Sequence, residues 1–404
     1  MIRDRDILVV YATIFLLGVA YGSSLAVTPL FLDHANFSKG EMGTLASWFA
    51  GGIVAMSIPA GALIRRFSAK RTLLIALAAY VVAVGVFGLQ RTYFGASAVR
   101  VLDGAASVGA WVACETILLS RAEPKHKAFV TSLYAMSIAV GYIVGSALAR
   151  ALAGVIHQDY RLVFFFAAGI AALAFLVAAT LLRANAAGAS EHTAFGGAAK
   201  ESAFSVLYRI KTACLATFSY GYFQASVVLF LPLYLVKSKG VEEKDTILMT
   251  AFFAAGMLLA SNLAGRIGDR LGHLAVMTVL AAIGMTMTLG FVYLHSWPIM
   301  LGAIFVAGAT LASLSPLSLA LMGHLVAKED LSRANGLYNA FYALGMLAGP
   351  PLSSVLFEKV SGAVMLFHLA GMWAFFVAFC VAFRGDQRVH ASKGSDSQRA
   401  HAST

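Results

Sequence analysis

The chain has 404 residues, 60% of them hydrophobic and 12% charged, with a formal net charge of +11. Soluble domains average about 45–50% apolar and about 25% charged residues, so this composition excludes an ordinary water-soluble enzyme. One bilayer crossing takes about 20 apolar residues; twelve of roughly 22 would use about 264, leaving short loops and no separate soluble domain.

Apolar runs of spanning length fall, in chain order, near 7–32, 41–64, 72–90, 94–120, 129–156, 161–182, 207–236, 246–265, 274–294, 297–323, 334–357 and 362–383. They are too long for barrel strands, which need about 9–11 residues, and they lack sustained alternation. The expected fold is therefore all-α, with twelve transmembrane helices. The first run follows Arg3 and Arg5 but exceeds a signal-peptide core and has no small-x-small cleavage site, so it reads as a retained helix. Between Arg183 and Arg209 the composition turns to Ala, Gly, Ser and charge, and after Phe383 the chain is polar and free of aromatics. This predicts a first six-helix half at 1–182, a cytoplasmic linker at 183–206, a second half at 207–383 and a disordered tail at 384–404.

Of the 30 Lys and Arg residues, 21 lie at the N-terminus, after even-numbered runs or in the tail, 8 lie in the opposite loops, and Arg100 sits inside a run. That bias places both termini in the cytoplasm. It also accounts for the net charge, so no nucleic-acid partner is expected, and the basic loop from Arg65 to Arg71 meets anionic lipid heads. Cys114, Cys214 and Cys380 are too dispersed for a disulfide framework or a metal spacing, and no cofactor or metal is expected.

The chain resembles itself at half its length. Leu133-Tyr134 and Gly141-x-x-x-Gly145 recur 204 residues later as Leu337-Tyr338 and Gly345-x-x-x-Gly349. The same offset maps Gly61 onto Gly265, Arg66 onto Arg270 and Gly104 onto Gly308; an offset of 203 maps Pro29-Leu-Phe-Leu32 onto Pro232-Leu-Tyr-Leu235. A common offset across several runs implies two parallel six-helix halves.

Several motifs make the chain similar to the major facilitator superfamily. Gly265-Arg-Ile-Gly-Asp269-Arg270-Leu-Gly272 resembles the family's loop motif after the eighth helix. The earlier copy, Gly61-Ala-Leu-Ile-Arg65-Arg66-Phe-Ser68, departs from it by placing Arg65 where the acid belongs. Arg100-Val-Leu-Asp-Gly104 resembles the family's Arg-x-x-x-Gly element, and Gly345-Met-Leu-Ala-Gly349-Pro350-Pro351 resembles the exporters' Gly-x-x-x-Gly-Pro element, here on the eleventh helix instead of the fifth. The stretch from Arg100 to Glu115 looks like the YcaD-type branch of bacterial facilitators. The resemblance implies a secondary transporter of a small molecule.

At about 100° per residue, Arg100, Asp103, Gly104, Ser107, Trp111 and Glu115 share one face of the fourth helix. A charge facing lipid costs about 2.5–3.5 kcal/mol even on a lenient scale, so this face must meet a cavity or a partner helix. Arg100 and Asp103 are spaced to pair, either as a structural bridge or as a substrate site, whereas Glu115 lies about 22 Å further along the axis. Glu115, with Asp103, is the candidate for proton coupling; its alternative is a cap at the cytoplasmic helix end. Tyr21, Tyr220, Gln224, Asn339 and Tyr342 join Arg100 and Trp111 as expected substrate contacts, each with an alternative as a packing group, as have Tyr11, Ser24 and Phe223. His368 reads as a packed histidine. Gly345 and Gly349 allow close helix approach, Pro350 is a candidate hinge, and Asp269, Arg270 and Arg66 are expected at the cytoplasmic gate.

The expected function is proton-coupled efflux of a small organic solute by a monomeric transporter of the bacterial inner membrane. The alternative is a proton-linked or facilitative importer of a sugar-like or anionic metabolite. A membrane enzyme or receptor is disfavoured, since the chain has no clustered metal spacing and no Gly-x-Ser-x-Gly element.

Overall fold

The structure, a computed structural model, describes residues 4–122, 127–155, 159–183, 202–327 and 330–384. Nearly all of the linker and tail expected at 183–206 and 384–404 lies outside the described residues, as does the side chain of Arg65.

Among the described residues there are helices and no strands. The first group is α1 (Arg5–His34), α2 (Lys39–Phe67), α3 (Ala69–Phe87), α4 (Tyr93–Arg121), α5 (Lys127–Val155) and α6 (Tyr160–Leu181). The second is α7 (Ala203–Lys239), α8 (Glu243–Thr246), α9 (Leu248–Leu271), α10 (His273–Phe291), α11 (Trp297–Leu311), α12 (Leu314–Leu325), α13 (Leu331–Lys359) and α14 (Gly362–Ala382). Eleven segments among the described residues are long and apolar enough to cross a membrane.

Local chemistry sets the helix starts. Ser38 and Glu41 form a reciprocal capping box at α2, and Thr92 caps α4 by accepting from the Gly95 N–H at 3.3 Å. The run expected as one helix over 297–323 is two, α11 and α12. Pro316 cannot donate to the Ala312 carbonyl and its ring crowds that group, so the ladder breaks there. Ser313 instead donates its hydroxyl to the Ala309 carbonyl at 2.6 Å.

The internal repeat reappears as packing. In the first group α1 lies on α5 and α6, α2 on α4, and α3 on α6; in the second α7 lies on α13, α9 on α11, and α10 on α14. The crossings use equivalent glycines. A Cβ on Gly104 would meet the Phe49 carbonyl at 2.0 Å, and one on Gly308 would meet the Phe253 carbonyl at 2.1 Å. Gly141 faces Phe15 of α1 in the same way that Gly345 faces Phe218 of α7. The turns correspond too: Ser68 between α2 and α3 and Gly272 between α9 and α10 both have positive φ, 79° and 93°.

The groups meet where α2 packs on α13 and α5 on α9. Their polar contacts gather at the end opposite the start of α1, called here the far end. There Lys237 of α7 donates to Asp33 of α1 at 2.9 Å, and Lys39 of α2 pairs with the same carboxylate. Arg150 of α5 binds Asp245 of α8 through Nε at 2.9 Å and Nη2 at 2.6 Å. Glu243 of α8 takes His34 of α1 at 2.9 Å and the Tyr160 hydroxyl of α6 at 2.9 Å. Just beneath, Ser47 donates to the Leu347 carbonyl at 2.7 Å, and Gly43 lies against the Pro350 carbonyl.

Candidate functional site

A cavity of about 180 Å³ lies between the groups, inward of the far-end contacts. Tyr21 and Ser24 enter it from α1, Phe49 from α2, Phe87 from α3, and Arg100, Asp103 and Trp111 from α4. Tyr142 of α5 also lines it, as do Gln224 of α7 and Tyr342 and Met346 of α13.

The helical spacing of Arg100 and Asp103 does what three residues apart should do: Arg100 Nη1 donates to Asp103 Oδ2 at 2.7 Å. The guanidinium sits 4.4 Å from the Phe49 ring centre and 5.5 Å from that of Phe87. Such cation–π contacts are worth about 2 kcal/mol or more when desolvated. The Arg100 and Asp103 side chains are 11% and 12% exposed, so water does little to screen the pair. Asp103 Oδ1, the Tyr21 hydroxyl and Trp111 Nε1 are buried without a hydrogen-bond partner among the described residues. Tyr21 and Trp111 lie ring to ring at 5.7 Å, and Tyr342 gives its hydroxyl proton to Gln224 Oε1 at 3.0 Å.

Of the expected contacts, Arg100, Asp103, Trp111, Tyr21, Ser24, Gln224 and Tyr342 come together in one wall-to-wall arrangement. Tyr220 stands behind the cavity, stacked on Tyr342 at 6.2 Å. Phe223 packs edge-on against Trp373 instead. Asn339 is exposed and donates to the Asn335 carbonyl at 2.9 Å, one turn of α13 short of Tyr342. Glu115 is exposed, a turn beyond Trp111 toward the end of α4 that lies by the start of α1, so it does not join the cavity wall. The helix end near it is held by another acid: Arg121 pairs with buried Asp6 of α1 at 3.0 Å. Tyr11 donates to the Val130 carbonyl, and His368 packs against the Tyr222 hydroxyl at 2.8 Å.

The gate residues are also located. Asp269 pairs with His273 of α10 at 3.2 Å, within its own group, while Arg270 and Arg66 are exposed. Pro350 lies inside α13, which runs on through it to Lys359 instead of ending there. The far-end ion pairs that join the two groups leave no local signal in the sequence, because their partners lie more than 90 residues apart. A signal for them exists: Lys39, Arg150 and Lys237 are among the eight basic residues that break the charge bias, and each has a carboxylate partner at the far end.

A second, smaller cavity of about 30 Å³ in the other group is lined by apolar side chains, among them Phe223, Phe253, Phe291, Ile304 and Ala307, and by Thr288, whose hydroxyl is spent on the Gly284 carbonyl at 2.8 Å.

The profile of the Major Facilitator Superfamily matches residues 10–293 and 213–403. The chain belongs to the major facilitator superfamily. Among its superfamily relatives, the uncharacterized MFS-type transporter YcaD of Escherichia coli O7:K1 is 22% identical over 371 residues, covering 91% of this chain and 93% of that one. The fold of this facilitator is shared with the nucleoside transporter NupG, at TM-score 0.78 and 15% identity over 94% of this chain and 99% of the other. A bacterial homologue of the human lysosomal transporter Spinster, in an inward-facing and occupied conformation, matches at TM-score 0.75 and 14% identity over 96% of each chain. Membership makes the protein a multi-pass membrane transporter of small molecules and not an enzyme.

Proposed function

We propose that the protein exports a small organic solute across the bacterial inner membrane in exchange for protons, by alternating access between two halves at 1–182 and 207–383. The linker at 183–206 and the tail at 384–404 lie in the cytoplasm with both termini. In this reading α2 is the twelfth span and the far end faces outward, as the bias of basic residues requires. The observation that carries it is the central cavity at the junction of the halves, closed on one side by ion pairs between them. With Glu115 exposed at the other side, the arrangement corresponds to the inward-open state of a rocking-bundle cycle. The protein works as a monomer, since each chain supplies both halves of the cavity.

Arg100, Asp103, Trp111, Tyr21, Gln224 and Tyr342 contact the substrate, with Tyr220 supporting Tyr342 and Asn339 lining the approach. Glu115 takes a proton on the cytoplasmic side, and Asp103 responds to it through the substrate. Gly345, Gly349 and Pro350 form the hinge region of α13, and Arg66, Asp269 and Arg270 close the cytoplasmic side in the opposite state. Reconstituted protein with a pH-sensitive dye inside the vesicles tests the coupling. Substrate movement should carry protons in the wild type and lose that link in Glu115→Gln. Unchanged proton flux per substrate in the variant removes Glu115 from the mechanism.

A further inference from the structure

The two cavities occupy equivalent places in the repeat. At the offset of 204, Phe49 corresponds to Phe253, Phe87 to Phe291, Arg100 to Ile304 and Asp103 to Ala307. Phe49, Phe87, Arg100 and Asp103 line the large cavity, and their four counterparts line the small one. The neighbouring glycines, Gly104 and Gly308, make the same close contact with the facing helix. The second half therefore shows what this position needs in order to pack: an aliphatic residue and an alanine. The charged pair in the first half is not a requirement of the fold, and buried ion pairs seldom stabilise more than the apolar residues that could replace them.

What the pair offers a ligand follows from its unused valences. Asp103 spends one lone pair of Oδ2 on Arg100 and leaves Oδ1 without a partner but enclosed, so that a ligand reaches it only as the neighbouring side chains yield. Arg100 spends one N–H on Asp103, its ring-facing sides are covered by Phe49 and Phe87, and the guanidinium's other N–H groups remain on its edge. One acceptor beside one set of donors matches a ligand edge that carries a donor beside an acceptor. The pair is already neutral and no other charged side chain lines the cavity. A charged ligand would bring a charge without a partner beside a pair that is already neutral. Size and shape complete the description. A cavity of about 150 Å³ accepts one benzene ring, so about 180 Å³ takes a single ring with small substituents. The rings of Tyr21, Trp111, Tyr142 and Tyr342 supply flat walls for it.

We propose that Asp103 and Arg100 together bind a compact, planar, net-uncharged ring compound that presents an N–H or O–H donor beside an acceptor. The proposal rests on the reading of the cavity as the transport site.

The test uses four single-ring probes on the full chain in detergent: 2-pyridone, which is neutral with N–H beside C=O, benzoate, benzylammonium, and anisole, which has an acceptor alone. Calorimetric titration should find 2-pyridone bound at least tenfold more tightly than each of the others. The double variant Arg100→Ile with Asp103→Ala, which copies the second half, should keep its helical spectrum and show less than a twofold preference. Tighter or equal binding of any other probe, no binding of 2-pyridone, or an undiminished preference in the double variant overturns the proposal. Loss of the fold in the double variant overturns it as well, because the argument from the equivalent position then fails. Radiolabelled 2-pyridone counterflow in vesicles separates the two readings: the predicted binding order without counterflow retains the ligand class and sinks transport through this cavity. Counterflow of benzoate in preference to 2-pyridone retains transport and sinks the ligand class.

Discussion

Where α2 crosses α4, Gly104 presses on the Phe49 carbonyl; where α9 crosses α11, Gly308 presses on the Phe253 carbonyl. Beside the first crossing stand Arg100 and Asp103, and beside the second Ile304 and Ala307. Further along α4, Glu115 has Leu319 of α12 as its counterpart. The halves thus share their joints and differ in their chemistry. Close backbone approach is what the architecture demands twice, whereas the Arg100–Asp103 pair and Glu115 have no charged counterpart in the second group.

The sharpest way to break this comparison is to unbalance the pair. Asp103→Ala alone leaves a buried unpaired guanidinium and should lower stability by about 3–5 kcal/mol, while Arg100→Ile with Asp103→Ala should restore most of it. Thermal unfolding in detergent reads the difference, and a double variant no better than the single one would mean that the first half needs its charges to fold. Next in size are the shared joints. Gly104→Ala and Gly308→Ala should each cost about 1–3 kcal/mol, because a methyl group must displace a carbonyl oxygen. A harmless Gly308→Ala beside a damaging Gly104→Ala would show that the crossings are not equivalent.

The turns give a smaller contrast. Ser68 holds φ 79° and ψ 155°, a region open to glycine and strained for other residues, and the second half has Gly272 there. Ser68→Gly should raise stability by about 1 kcal/mol, less whatever the hydroxyl contributes by capping α3. An equal loss instead would assign the position to the cap. Smallest in stability is the far end. Arg150→Gln should cost about 0.2–1 kcal/mol, since the side chain is 41% exposed, yet it should shift the distance distribution between spin labels on α5 and α9 toward separation. An unmoved distribution would leave Arg150 outside the closure.

Much of the arrangement was legible in residue order. The offsets of 203 for the first helix of each half and 204 for the others recur in the contacts of Phe15 and Phe218 and of Phe49 and Phe253, because a duplicated crossing preserves its small residues in register. The pairing of Arg100 with Asp103 was legible for the same local reason, as both sit on one helix face. Glu115 shares that face by angle, but the cavity ends before it reaches that turn. Angle around a helix says nothing of where a partner helix diverges. The contacts of Asp33 with Lys237, of Arg150 with Asp245 and of Glu243 with His34 join helix ends that only the folded bundle brings together, so no local pattern announces them. Pro316 leaves the hydropathy of its surroundings unbroken, although its missing N–H splits the span.

Asp33 holds two lysines at once, Lys39 from its own half and Lys237 from the other. In the alternating-access cycle proposed above, Lys237 would depart as the halves part and Lys39 would stay. The carboxylate then keeps a resident counterion and need not recruit a proton or a salt cation to leave its visitor. Separation at this point is a trade of one contact for hydration of a single lysine, a shallow step that a few kcal/mol of ligand binding can drive in either direction.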